Sequence, residues 1–218
     1  DAIEAMAHEK AGYEQVQGTW RNMLYECRLE AYGCDTPEKM LECLHDYNRM
    51  MDEVPCDRSA NPLRVAIIGE IYTVIEPFSN LYIEDKLMNL GVSTKRLMTP
   101  SWWIGNTLLS PTRLNSPGIR MASRDYLPYY IGGHARECVG EAVLSWKSGF
   151  DGAIQVFPMG CMSEIVSKAI LPAIARDKDF PILSLVVDEM TGEAGYITRI
   201  EAFVDMLERR RSHAVSGC

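Results

Sequence analysis

GAIQVFPMGCMSEIVSKAIL, residues 152–171, decides the fold. Its first half, Gly152 to Phe157, is a short apolar run of the kind found in strands covered on both faces, and from Met162 to Arg176 the pattern is helical. Pro158, Met159, Gly160 and Cys161 fill the turn between them, so a thiol stands where the helix begins. A strand passing at once into a helix is half of a β-α-β unit, and repetition of that unit builds a parallel sheet with right-handed crossovers.

The alternation recurs on both sides of this stretch. Downstream, Pro181 to Val187 is another strand, and Ile197, Ile200, Phe203, Val204 and Leu207 mark a final amphipathic helix. Upstream, Glu137 to Lys147 reads as helix, Arg64 to Gly69 as a buried strand, Asn80 to Leu90 as a helix stopped by Gly91, and Val92 to Met98 as a weaker strand. The stretch from Pro100 to Pro128, with Trp102, Trp103 and several prolines, reads as irregular or short-helical. The expected fold is α/β: a parallel sheet of about four strands with helices on both faces, spanning residues 63–212, with a tail at 213–218.

Residues 1–58 differ in character and predict a helical segment. Tyr13, Val16, Trp20, Met23, Leu24 and Cys27 recur at steps of three and four, forming one apolar face of a helix that ends near Gly33. Asp35-Thr36-Pro37 supplies a cap and a first-turn proline for a second helix, whose stripe is Met40, Leu41, Leu44 and Tyr47. Cys27 and Cys43 lie in or beside these faces and read as core residues. Residues 55–62, bounded by Pro55 and Pro62, read as a linker.

Composition bounds the function. The chain has 218 residues, is 47% apolar and 24% charged, and carries a net charge of -8. That charge opposes a broad grip on nucleic acid or on an anionic membrane, leaving a small molecule or a protein as partner. No apolar run approaches the roughly 20 residues of a membrane span, and no signal peptide precedes the first helix, so a cytoplasmic location is expected. The chain begins at Asp1, as a processed chain or an excerpt of a longer one would. Its seven cysteines include no C-x-x-C pair, a pattern of free thiols or metal ligands rather than a disulfide framework.

In an open parallel sheet, ligands gather beyond the carboxyl ends of the strands. That rule collects Glu70 after the first strand, Pro158 to Glu164 after the third, and Asp188 and Glu189 after the fourth. Cys161 has two readings there. A helix N-terminus favours the thiolate that binds metal or attacks an electrophile, and a small residue also suits a tight turn. A nucleophilic Cys161 needs a base, for which His134 is the candidate. Gly132-Gly133-His134 leads into the helix that carries Cys138, a second thiol that is either ligand or core. Asp188 and Glu189 can bind a cation or a hydroxyl, or shape the turn before the last helix, where Thr191 and Glu193 are cap candidates.

Four stretches, VAIIGEIYTVIEPFSNLYIEDKLMNLGV (65–92), YYIGGHARECVGEAV (129–143), GFDGAIQVFPMGCMSEIVSKAILPAI (149–174) and PILSLVVDEMTGEAGYITRIEAFVDML (181–207), together resemble the C-terminal part of the acyl-CoA dehydratase activase-related proteins. These are relatives of the D component of 2-hydroxyacyl-CoA dehydratases and of double-cubane cluster proteins. The resemblance covers residues 64–211, about two thirds of the chain. It implies one parallel α/β domain of a pair that holds an iron-sulfur cluster of the 4Fe-4S kind, fed at low potential by an actin-like ATPase partner in anaerobic metabolism. By the same resemblance Cys161, in P-x-x-C-M-x-E, is a cluster ligand, with Gly160 and His134 beside it and Cys138 as a further thiol. Two thiols fall short of the roughly four that a cluster normally takes, which implies an incomplete cluster or none in this chain alone and a second cluster-binding domain elsewhere. The alternative function is a non-catalytic acyl-CoA or nucleotide binding module that docks on the ATPase.

Overall fold

The computed structural model describes residues 1–57, 59–109 and 116–216. Arg58 of the linker, the middle of the 100–128 stretch and the last residues of the tail lie outside the described residues. The fold is α/β, with a four-stranded sheet in the order β2-β1-β3-β4. The strands are β1 (Arg64–Gly69), β2 (Ser93–Arg96), β3 (Gly152–Pro158) and β4 (Ile182–Val187). Among the described residues, no helix is long and apolar enough to cross a membrane.

Pairing of β1 with β3 is parallel, with Val65 opposite Gly152 and Gly69 opposite Val156. Pairing of β3 with β4 is also parallel, from Ala153 opposite Ile182 to Pro158 opposite Val187. The apolar runs form these strands because nearly every residue of β1 and β3 is buried, the two-sided burial of a covered parallel sheet. Full burial of a side chain such as Ile154 or Phe157 contributes about 1.5–3 kcal/mol.

The chain divides into two compact units, residues 1–63 with 84–95, and residues 64–83 with 96–218. The first unit is built on α1 (Ala2–Lys10), α2 (Thr19–Gly33), α3 (Pro37–Asp52) and most of α5 (Ile83–Asn89). Its core holds Ala7, Ala11, Trp20, Leu24, Met51 and Met88. Thr36 caps α3, its hydroxyl oxygen accepting the Lys39 N–H at 3.3 Å, with Pro37 in the first turn. Two differences from expectation stand out. Val16 is exposed and Tyr13 lies outside any helix, while α1 is a third helix of the expected helical segment, separate from the two whose apolar stripes were read. Cys27 is buried as expected, but Cys43 is only partly so.

The second unit carries β1, β3 and β4 with α4 (Ile71–Ile75), α6 (Pro100–Leu109), α7 (Pro117–Ser123), α8 (Ala135–Lys147), α9 (Met162–Lys178) and α10 (Glu193–Ser216). Its core gathers Ala66 and Ile68 of β1, Cys138, Val139, Ala142 and Val143 of α8, and Leu171 and Ile174 of α9. The stretch from Pro100 contains two short helices. The expected tail at 213 is instead a continuation of α10 to Ser216.

Candidate functional site

Strand order places the site. The chain leaves β1 towards β2 on one side, and leaves β3 towards β4 on the other. The two connections diverge at the carboxyl ends of the adjacent strands β1 and β3, the switch point where open α/β sheets bind ligands.

Two turns shape this place. Gly69, the last residue of β1, has φ 138°, and a Cβ there would run into the Val156 carbonyl oxygen. That oxygen accepts the Glu70 N–H at 3.1 Å and the Thr73 hydroxyl at 3.1 Å, so the chain turns against β3. Glu70 caps α4, its carboxylate accepting the Thr73 N–H at 3.1 Å. After β3, Met159 N–H donates to the Val187 carbonyl at 3.1 Å and Cys161 N–H to the Pro158 carbonyl at 3.2 Å. Gly160, with φ 83°, supplies the left-handed residue that this turn requires.

Cys161 is the N-cap residue of α9, but its sulfur makes no bond to a helix amide. It lies partly exposed on the rim, 3.3 Å from the Ser163 hydroxyl. The loop before α8 reaches the same point, since Gly133 packs against Ser163 and His134 is the N-cap of α8. Ser163 therefore links Cys161 to Gly133, so the loop before α8 and the turn after β3, far apart in sequence, meet. Arg136, beside them in sequence, lies over the Tyr130 ring at 5.1 Å.

Cys138 is elsewhere in character. It is completely buried, and its thiol is pushed well up by burial, then by the charges of Glu164 and Glu141. Ligation by Cys138 would require ionising a sealed thiol. Asp188 and Glu189 are exposed, and Asp188 serves its own turn: its carboxylate accepts the Met190 N–H at 3.0 Å and the Thr191 hydroxyl at 2.9 Å. Among the described residues, no set of three or more His, Cys, Asp or Glu side chains is placed to hold a metal ion. The residues present fit one ligand of a cluster and not a self-contained set.

Beneath the rim lies a polar layer that the sequence reading missed. Gln155, fully buried on β3, donates to the Glu164 carboxylate at 2.9 Å and to the Glu164 carbonyl at 3.2 Å, while accepting the Ser184 hydroxyl at 2.7 Å. Glu164 is held above the usual carboxylate range by burial, against the opposing bonds from Gln155 and Cys138. Glu141, one turn beyond Glu137 on α8, is 3% exposed, and neither of its carboxylate oxygens has a partner. Burial pushes it well up, and the charges of Glu137 and Glu164 add to this, so it is held as a neutral acid. The legible trace was Glu137, Cys138 and Glu141 lying among Val139, Ala142 and Val143 on a helix that buries most of its circumference.

Around the rim the strand-end loops expose large apolar side chains: Tyr72 after β1, Tyr129 and Tyr130 before α8, Met159 and Met162 on either side of Cys161, and Met190 after β4. Met159 and Met162 are 73% and 75% exposed. No protein-family model matches the chain, and no curated protein matches it.

Proposed function

We propose that this chain is the cluster-side half of an ATP-dependent, low-potential electron-transfer or acyl-CoA dehydratase/reductase-type system, working in the cytoplasm. Cys161 supplies one thiolate to an iron-sulfur cluster whose other ligands come from a second cluster-binding domain, and an actin-like ATPase supplies the electrons. The observation that carries this reading is a partly exposed thiol at the β1/β3 switch point, with the exposed side chains of Met159 and Met162 on either side of it in sequence. Exposed apolar side chains there favour a covering partner, and a cover over Cys161 would bring further ligands and exclude water. Gly160 shapes the turn that presents the thiol, and His134 heads α8 next to Gly133, which packs against Ser163; Cys138 belongs to the packed core.

Anaerobic reconstitution with ferrous iron and sulfide tests the proposal. Iron retained after desalting should be well below a full cluster per chain, should disappear in Cys161→Ala and should persist in Cys138→Ala. Equal iron in wild type and Cys161→Ala, or none in either, refutes it. The lack of a three-ligand set favours a second reading, a metal-free module that docks on the ATPase or holds an acyl-CoA at the same rim. Calorimetric heat with a CoA ester, alongside no retained iron, would select that reading.

A further inference from the structure

The first unit contains a thiol pair outside the site described above. Cys34 is the C-cap residue of α2, and α3 begins three residues later at Pro37, so the two helices form a tight hairpin. Cys34 Sγ donates to the Glu30 carbonyl oxygen at 3.3 Å, and Cys43 Sγ, from α3, approaches the Glu30 carboxylate at 3.9 Å. The two thiols thus meet over one residue, and the Cys34 sulfur helps to push the Cys43 thiol up. Both are partly accessible, whereas Cys27 next to them is buried. Cys56, the exposed cysteine, has its sulfur on the Val54 carbonyl at 3.6 Å and meets no second thiol among the described residues.

We propose that Cys34 and Cys43 are a dithiol redox site whose substrate is a small-molecule disulfide of the glutathione class. Cys34, at the open end of α2, attacks first, its proton passing to water, while Cys43 waits beside the Glu30 carboxylate, its thiol held protonated by partial burial and then by the neighbouring Cys34 sulfur and Glu30 charge. One small thiolate leaves and takes a proton, and a mixed disulfide remains on Cys34. Cys43 then gives its proton to Glu30 and attacks Cys34 Sγ, and the second small thiolate departs and is protonated. In sum two protein thiols are oxidised to one disulfide, and one small disulfide is reduced to two thiols. The product staples the end of α2 to α3.

The test uses the full chain, reduced and then incubated with oxidised glutathione, followed by non-reducing peptide mapping. The expected product is a Cys34–Cys43 cross-linked peptide with no glutathione retained and the Cys27 peptide unchanged. In Cys43→Ser, one glutathione should be trapped on Cys34; in Cys34→Ser, Cys43 should react several-fold more slowly than Cys34 does in Cys43→Ser. Stable glutathione on either residue of the wild type, or a cross-link that includes Cys27 or Cys56, overturns the proposal. The wild-type map decides the matter even if a variant fails to fold.

Discussion

Replacing Glu141 by Gln should flatten the dependence of stability on pH. Glu141 is buried without a partner and stays protonated in the folded chain, well above its ordinary value of 4.5. The unfolded chain releases that proton once the pH passes about 4.5, while the folded chain keeps it, so the folded state binds one more proton. Stability therefore falls as pH rises, by about 1.4 kcal/mol for each pH unit. Glutamine has the same shape and nothing to titrate. Above pH about 4.5, and until the folded carboxyl itself ionises, the wild type should lose up to about 1.4 kcal/mol more per pH unit than the variant does, roughly a tenfold difference in the folding equilibrium. The vertical offset between the two curves also contains the cost of burying an amide without partners, but the slope does not. Urea denaturation followed by circular dichroism at several pH values measures it, with Trp146 on the same helix as a local fluorescence probe. Parallel curves for wild type and Glu141→Gln would refute the reasoning, since they would mean that the carboxyl is ionised in the folded chain.

In the first unit, Asp85 behaves in the opposite sense. Burial opposes ionisation, but hydrogen bonds from His8 and Arg28 prevail and bring it from 3.8 to about 2. That corresponds to about 2 kcal/mol of stability, fully present above pH about 4 and lost as the pH falls towards 2. Asp85→Asn should cost about this much at neutral pH and remove that part of the acid sensitivity, as read by acid titration of the circular dichroism signal. Gly69→Ala places a Cβ against the Val156 carbonyl at φ 138°, and should cost at least about 2 kcal/mol in urea denaturation; a cost under about 0.5 kcal/mol would mean that the turn relaxes freely. Cys138, sealed in the core with its thiol pushed well up by burial, should resist iodoacetamide in native protein and react only after denaturant is added.

The second unit was largely legible because its strands are apolar on both faces and its helices start and stop at Gly or Pro. The run from Gly152 to Phe157 gave β3 almost to the residue, and the turn at Gly160 located Cys161 at the head of α9. The first unit was less legible. α1 shows little amphipathic pattern, and its His8 is buried through long-range pairs, 3.0 Å to Asp85 and 3.6 Å to Glu84, that no local window contains. The assignment of most of α5 and most of β2 to the first unit is likewise a matter of non-local contacts. The place of Cys161 at the head of α9 was visible from the sequence, whereas the burial of Glu141 and Glu164 was not, because it depends on how α8 and α9 pack. For Asp188, read as either a ligand or a turn residue, the bonds seen are those to Met190 and Thr191 within its own turn.

Thiol footprinting of the reconstituted chain addresses the Cys161 assignment most directly. Anaerobic protein, with and without ferrous iron and sulfide, is alkylated under native conditions and mapped by peptide mass. Cys161 should be labelled in the iron-free protein and protected in the loaded one, with Cys138 unlabelled in both. Equal labelling of Cys161 in the two samples would contradict its place as the ligand.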